Sequence, residues 1–255
     1  MMTIDKSRCT DCGACTVACS VGIFYQDENG EVQAKDKACL DCFHCAAACP
    51  SKAVCCDHLS EAELYPNPSK SPLLRSIQFR RSVRNFTDEL PDKAFLQSVL
   101  DASLYAPSGK NEHANRWTVV LGKEKTDELF RLTLDWAKDV PHYRHVVKLA
   151  QWGRNPVTCG APCLIVGYNR TDALNPQTDT VIAMTLAEQL LVEAGWGTCW
   201  GGYLRAAARE SEAIQQVLGI PEGCRVYEIL LVGRPDGETY CNIPYRPNAE
   251  IQWVE

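Results

Sequence analysis

No surplus of positive charge runs through this chain. Lysine and arginine total 26 against 32 aspartates and glutamates, a formal net charge of −6 over 255 residues. That balance weighs against a nucleic-acid binder relying on a broad basic face. Long apolar runs are missing too: Cys163–Gly167 is typical of the longest, far below the roughly 18 residues a membrane span needs. The opening MMTIDKSRCTDCG has no apolar signal-peptide core. No G-x-G-x-x-G follows a strand pattern, so a Rossmann site and a separate nicotinamide domain are not supported. The expectation left by these absences is a cytoplasmic protein that binds neither membrane nor nucleic acid. At about 150 residues per domain the length gives one to two domains, and 45% hydrophobic residues supply a core.

Cysteine is where the chain is rich. Ten of its 15 cysteines fall in the first 56 residues. A disulfide-stapled secreted chain would not crowd them behind no leader, so dense thiols point to metal. Cys9, Cys12, Cys15 and Cys19 read C-x2-C-x2-C-x3-C, and Cys39, Cys42, Cys45 and Cys49 repeat that spacing thirty residues later. The pattern resembles the bacterial ferredoxin run, in which the fourth cysteine of each run ligates the other cluster. A tight loop wraps three thiolates around one cluster, and the x3 step carries the fourth into a helical turn that points away. The resemblance implies two 4Fe-4S clusters, one on Cys9, Cys12, Cys15 and Cys49, the other on Cys39, Cys42, Cys45 and Cys19. Zinc on paired C-x2-C units is the competing reading. The second run ends in Cys49-Pro50 but the first in Cys19-Ser20, which loosens that exit without removing a ligand. Such modules resemble paired β-hairpins with short helices, and Ile23–Tyr25 with Val32–Ala34 fits one hairpin. Cys55 and Cys56 match no ligand spacing and read as small packing thiols, with a redox role as the alternative.

Residues Ser60–Pro72 carry three prolines and little apolar content, a linker composition. The reading is therefore a ferredoxin-like domain over 1–58, a linker over 59–73 and a second domain over 74–255. In that second domain helical spacing is expected at Pro91–Ala106, Lys123–Val140, Thr178–Ala194 and Arg205–Leu218. Short strands are expected at Trp117–Leu121, Cys163–Tyr168 and Val226–Gly233. Helices alternating with few short strands give an α+β class.

Three segments of the second domain carry chemistry. Arg80-Arg81-Ser82-Val83-Arg84 sets three guanidiniums and a hydroxyl within five residues, either a dianionic phosphate pocket or a solvated basic helix end. Ala106-Pro107-Ser108-Gly109-Lys110-Asn111 is a turn ending in an amide side chain. Gly195-Trp196-Gly197-Thr198-Cys199-Trp200-Gly201-Gly202 has four glycines that would let backbone approach a flat ligand, or simply a glycine-rich connection after a helix.

RRSVRNF, APSGKN and GWGTCWGG, in that order, resemble the nitroreductase family of FMN enzymes over roughly residues 74–255. The resemblance implies an α+β homodimer with two FMN sites at the subunit interface, each built from both chains. It implies that Arg80, Arg81, Ser82 and Arg84 hold the FMN phosphate and ribityl. Pro107, Ser108, Gly109 and Asn111 would line the isoalloxazine, with Asn111 on its polar edge. Gly197, Thr198 and Cys199 would offer backbone near the ring, and Arg246 would meet the phosphate. Where relatives often continue Gln-Pro-Trp, this chain has His113-Ala114-Asn115. His113 is either a proton donor to substrate or a hydrogen-bonded loop residue. Cys159, Cys163, Cys199, Cys224 and Cys241 form no ligand run and read as packing residues.

Clusters move one electron at a time, whereas a flavin takes two singly and can deliver them together. The combination implies electrons passing from an external donor through two clusters to FMN and on to a small conjugated electrophile of nitroaromatic, quinone or enone type. Reduced ferredoxin or flavodoxin is the expected donor, with NAD(P)H as the family's alternative. A non-catalytic electron-transfer protein and a redox sensor are the competing readings. Low-potential clusters further suggest an anaerobic cytoplasm.

Overall fold

The computed structural model describes residues 1–237 and 239–255. The chain packs as two units, Met1–Phe79 with Gly237–Glu255, and Arg80–Asp236.

In the first unit the crowded cysteines leave room only for short elements. In chain order these are β1 (Met2–Ile4), α1 (Ala14–Ala18), β2 (Phe24–Gln26), β3 (Val32–Ala34), α2 (His44–Ala48) and β4 (Val54–Cys56). β1 pairs antiparallel with β4, placing Met2 opposite Cys56, and β2 pairs antiparallel with β3, placing Phe24 opposite Ala34. The expected hairpin is present, one residue later at its first strand. Its turn is shaped by Asp27, whose Oδ1 accepts the amides of Asn29 (2.9 Å) and Glu31 (3.0 Å). Part of the proline-rich stretch is structured. α3 (Glu61–Leu64) begins with a capping box between Ser60 and Glu63, and α4 (Pro72–Phe79) follows. Leu64 and Tyr65 pack into the same core as Met2, Ile23, Phe24, Val32 and Val54, and the Tyr65 hydroxyl donates to the Val54 carbonyl at 2.8 Å.

The second unit is a four-stranded antiparallel sheet in the order β5-β6-β8-β7 with helices packed on it. Its strands are β5 (Arg116–Leu121), β6 (Cys163–Arg170), β7 (Gly197–Trp200) and β8 (Cys224–Gly233). Its helices are α5 (Lys93–Ser103), α6 (Lys123–Asp139), α7 (Arg144–Gln151), α8 (Pro176–Glu193), α9 (Gly202–Ala208) and α10 (Glu212–Leu218). The α+β class stands. Two expectations are corrected. The single helix over Arg205–Leu218 is two helices, because the Ser211 hydroxyl accepts the Ile214 amide and starts a new one. The glycine-rich stretch after α8 is an edge strand, β7, whose Thr198 lies opposite Val232.

α8 is the spine of this unit. Met184, Ala187 and Leu191 are fully buried against Cys163, Ile165, Leu230 and Val232 of the sheet. Close approach of helix and sheet depends on Gly167 in β6, where an added Cβ would lie 2.6 Å from the Thr180 methyl and 3.0 Å from Trp117. Among the described residues no helix is long and apolar enough to cross a membrane.

Candidate functional site

The eight run cysteines are sorted by the fold into two groups of four. Each run begins with a left-handed residue at its third position, Asp11 (φ 51°) and Asp41 (φ 47°), and reaches its helix through another, Gly13 (φ 74°) and Phe43 (φ 58°). Those turns aim backbone amides at sulfur. Asp11 N and Asp41 N lie 3.4 Å from the Sγ atoms of Cys9 and Cys39. Ile23 N and Ala53 N lie 3.2 Å from the Sγ atoms of Cys19 and Cys49. Amides directed at sulfur favour the thiolate. Burial, then Cys49, Cys9 and Cys12, push the Cys15 thiol up to about 12. Burial, then Cys19, Cys42 and Cys39, push the Cys45 thiol well above its ordinary value. Cys15 thus has Cys9, Cys12 and Cys49 as thiol neighbours, and Cys45 has Cys19, Cys39 and Cys42. Such crowded thiols become thiolates together only around positive charge.

The spacing of the sulfurs also bears on zinc. Four thiolates on one tetrahedral zinc, at about 2.3 Å from the metal, lie only about 3.8 Å from each other. Among the described residues, the group of three or more ligand atoms lying within 4.8 Å of one another is Cys56, Asp57 and His58, not any set of run cysteines. Cys56, Asp57 and His58 are consecutive at the end of β4, and the Met1 amine and His58 already engage the Asp57 carboxylate, holding it down to about 2.

In the second unit the arginine segment and β7 are joined. Ser82 forms a parallel bridge with Thr198, and Val83 N donates to Thr198 O at 2.9 Å. Arg80 and Arg84 reach the surface, while Arg81 is buried with its guanidinium donating to the Arg80 carbonyl. Two guanidiniums beside a serine hydroxyl suit a dianionic phosphate. Gly197 and Gly201 serve packing within the chain: added Cβ atoms would lie 3.0 Å from Val83 and 3.1 Å from Leu231. Cys199 is buried.

The acid that ties these pieces down carried no motif. Glu188 of α8 is buried, accepts the Thr198 hydroxyl (2.9 Å) and the Trp200 indole N–H (3.1 Å), and lies 3.5 Å from Arg80. Asp179, also buried on α8, accepts the Gly109 amide through both carboxylate oxygens at 3.2 Å. Asn115 completes that anchor. Its side chain donates to the Asp179 carbonyl (3.0 Å) and accepts from Thr180 (3.0 Å) and Asn169 (3.2 Å). An acid inside an apolar helical pattern was the only available signal, and it names no partner.

The turn over residues 107–113 is held in an uncommon backbone. Lys110, Asn111 and His113 are all left-handed, at φ 49°, 58° and 44°. Ser108 Oγ accepts His113 N (3.0 Å), and His113 Nε2 lies 2.7 Å from Asn111 Oδ1. The contact of His113 with Oδ1 fixes the orientation of the Asn111 amide. Pro107 is exposed beside it.

Asp179 and Glu188 are nine residues apart, two and a half turns at 3.6 residues per turn, so their carboxylates leave opposite sides of α8. The Pro107–Asn111 turn and the Arg80–Arg84 segment are therefore hung on opposite faces of one helix, about 13.5 Å apart along it. Arg246 belongs to the first unit, where its Nη1 lies 3.5 Å from the Cys42 carbonyl. Cys241 is also there, donating through its thiol to the Ala47 carbonyl.

The model of the nitroreductase family matches residues 77–234, and that of the 4Fe-4S dicluster domain matches residues 1–50. A ferredoxin of Pyrobaculum islandicum is 42% identical over 53 residues, 21% of this chain, and the chain spans about half (50%) of that protein's length. Two nitroreductases solved with bound FMN are similar over 73% of this chain and 100% of theirs. That of Bacteroides fragilis has a TM-score of 0.63 at 25% identity, and that of Desulfitobacterium hafniense 0.62 at 26%.

Proposed function

The chain belongs to the nitroreductase family, and from that premise we propose an iron–sulfur flavoprotein oxidoreductase that reduces a small conjugated electrophile of nitroaromatic, quinone or enone type. The observation that carries it is the crosswise sorting of eight thiols in the same chain as a nitroreductase fold. Two 4Fe-4S clusters and FMN, when bound, supply one-electron transfer and its conversion to two-electron reduction.

The residues divide the work. Cys9, Cys12, Cys15 and Cys49 hold one cluster, and Cys19, Cys39, Cys42 and Cys45 the other, with the backbone amides of Asp11, Ile23, Asp41 and Ala53 stabilising the thiolates. Arg80 and Arg84 with Ser82 bind the phosphate, and Arg81 supports them from within. Gly197, Thr198 and Cys199 form the wall pinned to that segment. Pro107, Ser108, Gly109 and Asn111 meet the ring, where the Asn111 NH2, oriented by His113, favours negative charge as it develops on reduction.

The placement of the two segments supports a homodimer. On opposite sides of α8 they serve different sites, so each complete site takes its arginines from one chain and its Pro107–Asn111 turn from another. Apolar surface near that turn supports this: Tyr105 is 90% exposed, and Leu104, Leu174 and Leu186 are exposed as well. Light scattering of the holoprotein should give twice the 28.3 kDa chain mass. A monomer saturated with FMN would overturn the shared site.

Anaerobically purified protein should contain about eight iron and eight acid-labile sulfides per chain, and FMN. Protein with zinc and no sulfide would refute the cluster reading. Reduced ferredoxin or flavodoxin is the proposed donor, read by stopped-flow bleaching of the flavin. Equally fast bleaching by NADPH in cluster-free protein would make the nicotinamide the donor instead.

A further inference from the structure

Residues 237–255 lie beyond both family matches, which end at 50 and 234, yet they pack with the first unit. What they contact there is specific. α2 has five residues, too few to hold its shape unaided. It carries Cys45 and leads into Cys49, and its last carbonyls need donors. The returning chain supplies them. Cys241 N and Asn242 N both reach the Ala47 carbonyl, at 3.0 and 2.9 Å. Asn242 Nδ2 donates to Cys49 O at 2.8 Å and Ala46 O at 3.3 Å.

A second contact lies at the other end of the same helix. Phe43 sits left-handed where the first run has Gly13, a conformation that costs a side chain about 1–2 kcal/mol. The Phe43 ring is buried and meets Tyr245 edge to face at 5.7 Å, which offsets that strain. The two runs differ accordingly. Val17 of α1 is 43% exposed, whereas Ala47, its counterpart thirty residues on, is fully buried.

We propose that Tyr240–Arg246 is a working part of the cluster module: it closes α2 at both ends and so sets how firmly, and at what potential, the iron–sulfur groups on Cys45 and Cys49 are held. Asn242 and Tyr245 are positioning residues in this reading, acting through ligand-bearing backbone. Cluster potential responds to hydrogen bonding and solvent exposure around the ligands, so a loosened α2 moves it. The inference rests on the cluster reading above.

The test uses the full chain loaded with its cofactors. Asn242→Asp keeps size but replaces two donors with acceptors that face carbonyls. Tyr245→Leu keeps apolar bulk but removes the aromatic edge contact. Each should lose iron to a chelator at least about tenfold faster than the parent. Each should also shift the clusters' midpoint potentials, by about 59 mV for a tenfold change in the one-electron equilibrium, with FMN content unchanged. Parent-like loss rates and potentials in both variants would overturn the proposal. If Asn242→Asp loses flavin as well as iron, Tyr245→Leu decides. A parent without iron and sulfide would instead sink the underlying cluster reading, so the two failures are distinguishable.

Discussion

Replacing Cys49 with serine should lower iron from about eight to about four atoms per chain, and the thiols left empty should be Cys9, Cys12 and Cys15, thirty or more residues away in sequence. The expectation follows from the surroundings of Cys15, whose thiol neighbours are Cys49, Cys9 and Cys12. Pairs of substitutions make the test decisive. If Cys49 shares a site with Cys12, then Cys12→Ser with Cys49→Ser removes no more iron than either alone, because both strike one cluster. Cys42→Ser with Cys49→Ser strikes two and should leave almost none. If each run held its own cluster, the pattern would reverse. Iron and sulfide analysis of these single and double variants, with electron paramagnetic resonance after reduction, separates these outcomes.

Glu188→Ala should produce the largest change in the second unit. It removes the acceptor of the fully buried Thr198 hydroxyl and of the Trp200 indole N–H, together with the carboxylate beside Arg80. Leaving one buried and one part-buried donor unmatched costs about 2–4 kcal/mol. No stability is added for Arg80, which is 31% exposed and screened by water. The loss corresponds to a fall of about 4–16 °C in the melting transition of a unit this size. FMN retention should weaken by at least about tenfold, or 1.4 kcal/mol, because the arginine segment is registered on β7 through Thr198. Glu188→Gln restores one acceptor but not the charge, so it should recover much of the stability and less of the affinity. Parent-like melting and FMN dissociation in Glu188→Ala would show that the acid anchors nothing.

The two units differ in how much of their sites was legible. Cluster ligation has a local signature, because three thiolates must wrap one core within a seven-residue loop. The fourth ligand's departure is also local, since three intervening residues form the helical turn that carries it away. The resemblance supplied the partner of that fourth cysteine. In the second unit Arg80–Arg84 and Pro107–Asn111 were legible as segments, but their supports were not. Asp179 and Glu188 act through groups 70 and 10 residues distant, and no short pattern records such a pairing. The glycine-rich stretch was read as a close backbone approach to a flat ligand or a plain connection after a helix. Residues Gly197–Trp200 of it form an edge strand paired with β8, and Val83 and Leu231 press on Gly197 and Gly201.

By itself the sequence determined where the thiols cluster, the α+β alternation of the second unit, and the order of the three segments joined to a nitroreductase resemblance. Each is a matter of neighbours within one or two turns, where spacing fixes geometry. Tertiary structure alone decided that Asp179 holds the Gly109 amide while Glu188 holds Thr198 and Trp200, and that residues beyond 237 close the helix bearing Cys45. Contacts between segments that distant depend on the packing of every element between them, and no periodicity in the chain encodes it.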